Sequence, residues 1–212
     1  MRPTIISVSG FSSEVGKTTL LCQLLSRQPG WEAIKMTRGH YRSCGKDPHA
    51  CCVSPLLGEK PLVLSGREAT FKEPKDTGRY WVSGAGNVHW VIGTDDQIEE
   101  GLAIALERVD QRGVFIEGNS FLKYVEVDYS IMVAMPSSRD IKSSAVAVMP
   151  KMRALFVPGC EPGSEALTTL QERLAKRGSS IGDIPVFFEH DLDQLGAEVT
   201  KVHQGRCALP DA

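Results

Sequence analysis

Residues 10–19 read GFSSEVGKTT and follow the apolar run TIISVS at residues 4–9. A phosphate-binding loop needs backbone N–H groups converging on an anion, and glycines where side chains would obstruct them. It also needs a lysine for the terminal phosphates and a hydroxyl for magnesium, and this stretch supplies each part. The flanks agree with that reading. The run ending at Gly10 reads as a strand, and Leu20, Leu21, Leu24 and Leu25 recur at helical spacing between Thr18 and Arg27. Strand, loop and helix in that order give the motif its meaning. The spacing departs from the common pattern G-x-x-x-x-G-K-[ST]: Gly10 and Gly16 enclose five residues, and Phe11 stands at the strict first-glycine position.

Outward from the loop, Glu32 to Met36, Val88 to Ile92, GVFIEG at 113–118, YSIMVA at 129–134, Arg153 to Val157 and Ile184 to Phe188 read as further strands. Between them, a helix is expected from a cap at Asp95 to about Arg112, another from Ser164 to Arg177 ended by Gly178, and a closing one from Leu192 to Val202. Short apolar strands alternating with helices predict an α/β fold of three layers, a mainly parallel sheet covered by helices on both faces, because parallel strands need crossover connections. The 212 residues are expected to form one domain. Residues 38–75, rich in Gly, Pro, Cys and basic side chains, lack periodicity and read as an excursion from that sheet.

The formal net charge of −2 leaves no basic footprint for nucleic acid or an anionic membrane, so local sites must carry the function. No apolar run is long enough to span a bilayer and MRPTIISVSG lacks the pattern of a signal peptide, so a cytoplasmic location is expected. The six cysteines are too sparse for a secreted disulfide scaffold. Cys22, on the helix after the loop, reads as a small core residue. In contrast, HYRSCGKDPHACC concentrates His40, Cys44, His49, Cys51 and Cys52, soft ligands at loop spacing that can hold Zn²⁺ or another thiophilic metal. A reduced loop without metal and a vicinal disulfide are the alternatives.

Glu117, at the end of the FIEGN strand, is a carboxylate facing the crevice at the carboxyl ends of the strands, where it can hold Mg²⁺ directly or through water. The Asn-Lys-x-Asp pattern that accepts guanine is missing, and the loop VPGCEPG at 157–163 is suited to a base by position alone, so ATP and GTP both stay open.

The loop resembles that of dethiobiotin synthetases, whose G-x-x-x-E-V-G-K-T pattern is matched by Gly10, Glu14, Val15, Gly16, Lys17 and Thr18. That resemblance points to the branch of P-loop NTPases that also holds nitrogenase-iron-protein-like ATPases and metallocentre-maturation GTPases. It implies that Lys17 meets the β and γ phosphates, Thr18 holds Mg²⁺ and Thr19 lies near the α phosphate. AIKMT at 33–37, KDTGRYWVSGA at 75–85 and IPVFFEHDLDQL at 184–195 are similar to segments of molybdopterin-guanine dinucleotide biosynthesis protein B, in matching order. From this second resemblance come Lys35 as a ligand of a phosphate or substrate anion and Asp76 as an acid near Mg²⁺ or a reacting water. Both families carry a Glu-Gly pair beside the loop, as in Glu117-Gly118, and Lys17, Glu117 and Asp76 are the catalytic candidates.

The function these likenesses imply is Mg-dependent binding of a purine nucleoside triphosphate. The protein would be a slow NTPase, or an adaptor for a protein partner in molybdenum-cofactor-like biosynthesis, and related proteins are commonly homodimers. A metallochaperone GTPase carrying its metal on the Cys/His segment is one alternative. A dethiobiotin-synthetase-like ligase is another, weakened because the E-G-A-G-G stretch of that family is replaced by Glu117-Gly118-Asn119-Ser120-Phe121.

Overall fold

The computed structural model describes residues 2–39, 54–138 and 140–208. Its strands are β1 (Thr4–Gly10), β2 (Glu32–Arg38), β3 (Leu62–Ser65), β4 (Val88–Gly93), β5 (Gly113–Glu117), β6 (Tyr129–Val133), β7 (Ala154–Phe156) and β8 (Val186–Phe187). They form one sheet in the order β3-β4-β2-β5-β1-β6-β7-β8, parallel throughout except for β3, which runs antiparallel to β4. The helices are α1 (Lys17–Leu25), α2 (Arg67–Thr70), α3 (Asp76–Val82), α4 (Ile98–Glu107), α5 (Ser143–Val148), α6 (Glu165–Ala175) and α7 (Leu192–Cys207).

Every residue of β1 is buried, as expected of a central parallel strand whose two faces are both covered. Alternation sorts the side chains. Ile6, Val8, Phe115, Ile131 and Val133 join the leucines of α1, Tyr80 of α3 and Leu195 of α7 in one core. On the opposite face Ile5, Ile34, Val114, Ile116 and Met132 pack with α4, α5 and α6 through Leu102, Ala145 and Leu170. The three expected layers are therefore present. β1 lies between β5 and β6, so the crevice at its carboxyl end opens where chain connections depart to both sides, the place such sheets use for ligands.

Several local expectations are corrected. Residues 62–65 of the supposed excursion return to the sheet as the edge strand β3, and 67–70 form α2. Asp95 does not cap α4; it pairs with Arg38 at 2.9 Å, while Gln97 Oε1 accepts the N–H of Thr94 and α4 begins at Ile98. Cys22 is half-buried at the margin of its core rather than inside it. The closing helix runs on to Cys207. Among the described residues, no helix is long and apolar enough to cross a membrane.

Candidate functional site

The departure in loop spacing has a steric cause. Gly10 is still paired with Val133 in the sheet, and a Cβ there would lie 2.7 Å from the Lys17 stem and 2.8 Å from Val15, so the strand must end on glycine. Phe11 then buries its ring in the core beside α5, donates its N–H to Val133 O at 3.0 Å and accepts the N–H of Lys142 at 2.8 Å. Phe11 fixes the base of the loop, and residues 12–15 are left to form the arch. Glu14 holds φ 60° and Gly16 φ 96°, left-handed positions that turn the chain into α1; the first costs about 1 kcal/mol for a residue with a Cβ. No side chain caps α1, so its first-turn N–H groups face the arch.

Asn119, on the strand-end turn after Glu117, clamps the loop from below: its Oδ1 accepts the N–H of Gly10 and its Nδ2 donates to Gly10 O, both at 2.9 Å. Lys17 Nζ reaches across to Ser12 O at 2.8 Å, and Lys142 Nζ donates to Ser13 Oγ at 2.9 Å. Burial pulls the Lys17 ammonium below the ordinary lysine range; Glu117 opposes this, and Lys35 and Lys142 add to it. A cation so placed gains from an arriving anion.

Beside the arch, β2, β5, α1 and α3 bring four expected residues together. Glu117, nearly fully buried, accepts Thr18 Oγ1–H on Oε2 at 2.8 Å and Lys35 Nζ–H on Oε1 at 2.6 Å. Lys35 also pairs with Asp76 at 2.7 Å. Burial pulls Lys35 down, but Glu117 and Asp76 together hold it above the ordinary lysine range. Burial likewise pushes Asp76 up, and its bond to Lys35 outweighs this and leaves it below the usual carboxylate range. The raised lysine loses its contribution only as pH rises through its elevated pKa, and the depressed acid only as pH falls through its lowered one. The pair is thus intact across neutral pH.

Four contributors escaped the sequence reading: Asn119, Tyr80, Arg79 and Lys142. Tyr80 is fully buried and donates its hydroxyl to Glu117 Oε2; burial first, then Glu117, push its phenol well above the ordinary value, so it is a donor. Arg79 Nη2 donates to Thr19 Oγ1 at 3.0 Å. Asp76, Arg79 and Tyr80 fall at i, i+3 and i+4 of one helix, a signal visible only once 76–82 is read as helical. Lys142 has no such local signal.

Lys17, Thr18, Lys35, Asp76, Arg79, Glu117 and Lys142 wall a cavity of about 590 Å³ that reaches from Ser13 and Thr19 to Lys35 and Asp76. A smaller cavity of about 140 Å³ adjoins it, with Lys17, Met36, Glu117 and Lys142 in both walls. Across the α1 terminus, Pro158 of the VPGCEPG loop lines a third cavity with Met135, Pro136 and Glu189. His40, Cys44, His49, Cys51 and Cys52 lie outside the described residues, and among the described ones no group of three or more His, Cys, Asp or Glu side chains could hold a metal ion.

No family model matches the chain, and no curated protein matches it in sequence. Solved structures do. HypB from Helicobacter pylori in complex with nickel is similar with a TM-score of 0.54 at 12% identity, over 99% of this chain and 91% of that one. LpxK from Aquifex aeolicus in complex with ATP gives a TM-score of 0.48 at 18% identity, over 89% of this chain and 54% of the LpxK chain, so this chain spans about half its length. A plasmid partition protein from Borrelia burgdorferi bound to AMPPNP gives 0.44 at 13% identity, over 97% and 100% of the two chains. With the likeness to HypB and the strand, loop and helix at Gly10 to Thr19, the fold is that of the P-loop NTPases.

Proposed function

We propose that the chain binds a purine nucleoside triphosphate with Mg²⁺ in the cavity walled by Lys17, Thr18, Glu117 and Asp76, and either hydrolyses it slowly or uses it as a switch toward a protein partner in cofactor biosynthesis. The observation that carries this reading is the convergence on Glu117: a hydroxyl of the phosphate loop meets one oxygen at 2.8 Å and a strand-end lysine meets the other at 2.6 Å. The Thr18 hydroxyl with the Glu117 and Asp76 carboxylates is a hard oxygen set of the kind Mg²⁺ takes alongside nucleotide phosphates. Bound there, the ion would neutralise charge on the terminal phosphates.

The chain's own groups do the rest. Lys17 places its ammonium at the terminal phosphates, Arg79 beside Thr19 faces the α phosphate, and Lys142 closes the arch from the other side. Lys35 and Tyr80 fix the orientation of Glu117. The resemblance of AIKMT and KDTGRYWVSGA to the molybdopterin-guanine dinucleotide family supports the cofactor-synthesis setting and a homodimer.

Glu117→Gln keeps the shape and removes the charge. Magnesium titrations followed by nucleotide binding should show the half-saturating Mg²⁺ concentration rise by about tenfold, close to 1.4 kcal/mol. Magnesium dependence at the wild-type level would take Glu117 out of the site.

A further inference from the structure

A second cavity, of about 440 Å³, lies at the opposite end of β1, where Pro3 and Thr4 meet the α4–β5 turn and the last turn of α7. Six residue steps along β1 separate Thr4, in its wall, from Gly10, a distance of about 20 Å at the rise of a β-strand, so it is separate from the phosphate loop. Among the described residues its wall contains Arg2, Arg112 and Arg206 with one carboxylate, Asp110.

The arginines are not equally engaged. Arg2 donates to Glu126 O at 3.2 Å and to Asp128 Oδ1 at 2.9 Å. Arg206 gives its Nη1 to the same Asp128 oxygen at 3.2 Å, and Asp128 Oδ2 accepts the N–H of Ile5. That leaves Arg206 with its Nε–Nη2 edge. Nε is buried and has no hydrogen-bond partner among the described residues, a donor that carries a desolvation cost while nothing accepts from it. The Nε–Nη2 edge is one of the two through which a guanidinium holds a carboxylate or phosphate with two parallel bonds. Arg112, which also lines the cavity, makes no side-chain hydrogen bond or ion pair among the described residues. Counting Asp110 and Asp128 against the three arginines, the described residues leave the site with a net positive charge.

We propose that this cavity is a second ligand site, which takes a small oxyanion, carboxylate or phosphate, between Arg206 and Arg112. Cys207 sits in the same wall, exposed, with its Sγ 3.8 Å from His203 Nε2, and reports on occupancy.

The test is the rate at which iodoacetamide, an uncharged reagent, alkylates Cys207, read by peptide mass spectrometry on the full chain. Inorganic phosphate and citrate are the two probes, each compared with sodium chloride at equal ionic strength. At ten times Kd, occupancy should slow Cys207 alkylation about tenfold, by the factor 1 + [L]/Kd, while chloride leaves it unchanged. Protection by phosphate alone marks a phosphate site, and protection by citrate alone marks a carboxylate site. Arg112→Ala, an exposed change without a side-chain partner to lose, should abolish the protection, and Lys17→Ala should retain it. No protection by either probe, equal protection by chloride or in Arg112→Ala, or loss of protection in Lys17→Ala would overturn the proposal.

Discussion

Replacing Lys17 by alanine is expected to weaken triphosphate binding by at least about a hundredfold, close to 3 kcal/mol, with the melting temperature unchanged. The two halves of this expectation have separate physical grounds. Lys17 lies over Gly10 and its ammonium donates to Ser12 O inside the arch, so its removal opens no cavity in either core. In contrast, its ammonium is half-buried and repelled by Lys35 and Lys142, so an anion meets it partly withdrawn from water, where a charge-assisted hydrogen bond is stronger than at the open surface. Lys17→Arg, which keeps the charge but not the point-like head, should recover little, because the arch is built around a narrow stem. Wild-type affinity in a folded Lys17→Ala protein would remove the phosphate-loop reading.

The second large effect is on stability. His89 and Glu32 are both fully buried on the α4 face, with Nε2 donating to Oε2 at 2.6 Å. Glu32 Oε1 also accepts the N–H groups of Asp110 and Gln111, each at 2.8 Å, and His89 Nδ1 meets Ser65 Oγ at 2.9 Å. Burial alone would raise the Glu32 carboxyl, but its bonds to His89 and to the Gln111 and Asp110 amides hold it below the ordinary range, so it is an anion in the core. The network ties the edge strand β3 through β4 and β2 to the α4–β5 turn. His89→Leu removes the one side-chain donor and leaves a buried charge, at a cost of roughly 3 kcal/mol. For a chain of this length that lowers Tm by about 10 °C. His89→Gln, which keeps a donor, should lose less. Denaturation curves read the effect, and an unchanged midpoint in His89→Leu would show that the network does not stabilise the sheet.

Much of this architecture was legible in the sequence, for reasons that separate local from distant causes. β1, the loop and α1 lie next to one another in the chain, and their apolar periods and glycines are local signals. The buried strands β5 and β6 announce themselves as short runs of branched and aromatic residues. β3 does not: it is four residues long and half-buried, and it sits in a stretch rich in proline and glycine. The helices α3 and α5, of seven and six residues, are too short to display a helical period.

The site divides in the same way. Lys17 and Thr18 follow from the motif, and Glu117, Lys35 and Asp76 from strand ends and resemblance. Their joining needs the strand order β2-β5-β1, which places Lys35 opposite Glu117 across 82 residues of chain. Phe11, an apparent defect in the motif, became intelligible only with its ring in the core beside α5.

Calorimetric titration of the wild-type chain with ATP and with GTP, each with and without Mg²⁺, tests the central claim most directly. The structure predicts saturable binding of at least one of the two, one nucleotide per chain, tightened by magnesium. Absence of binding by either nucleotide in the presence of magnesium would contradict it.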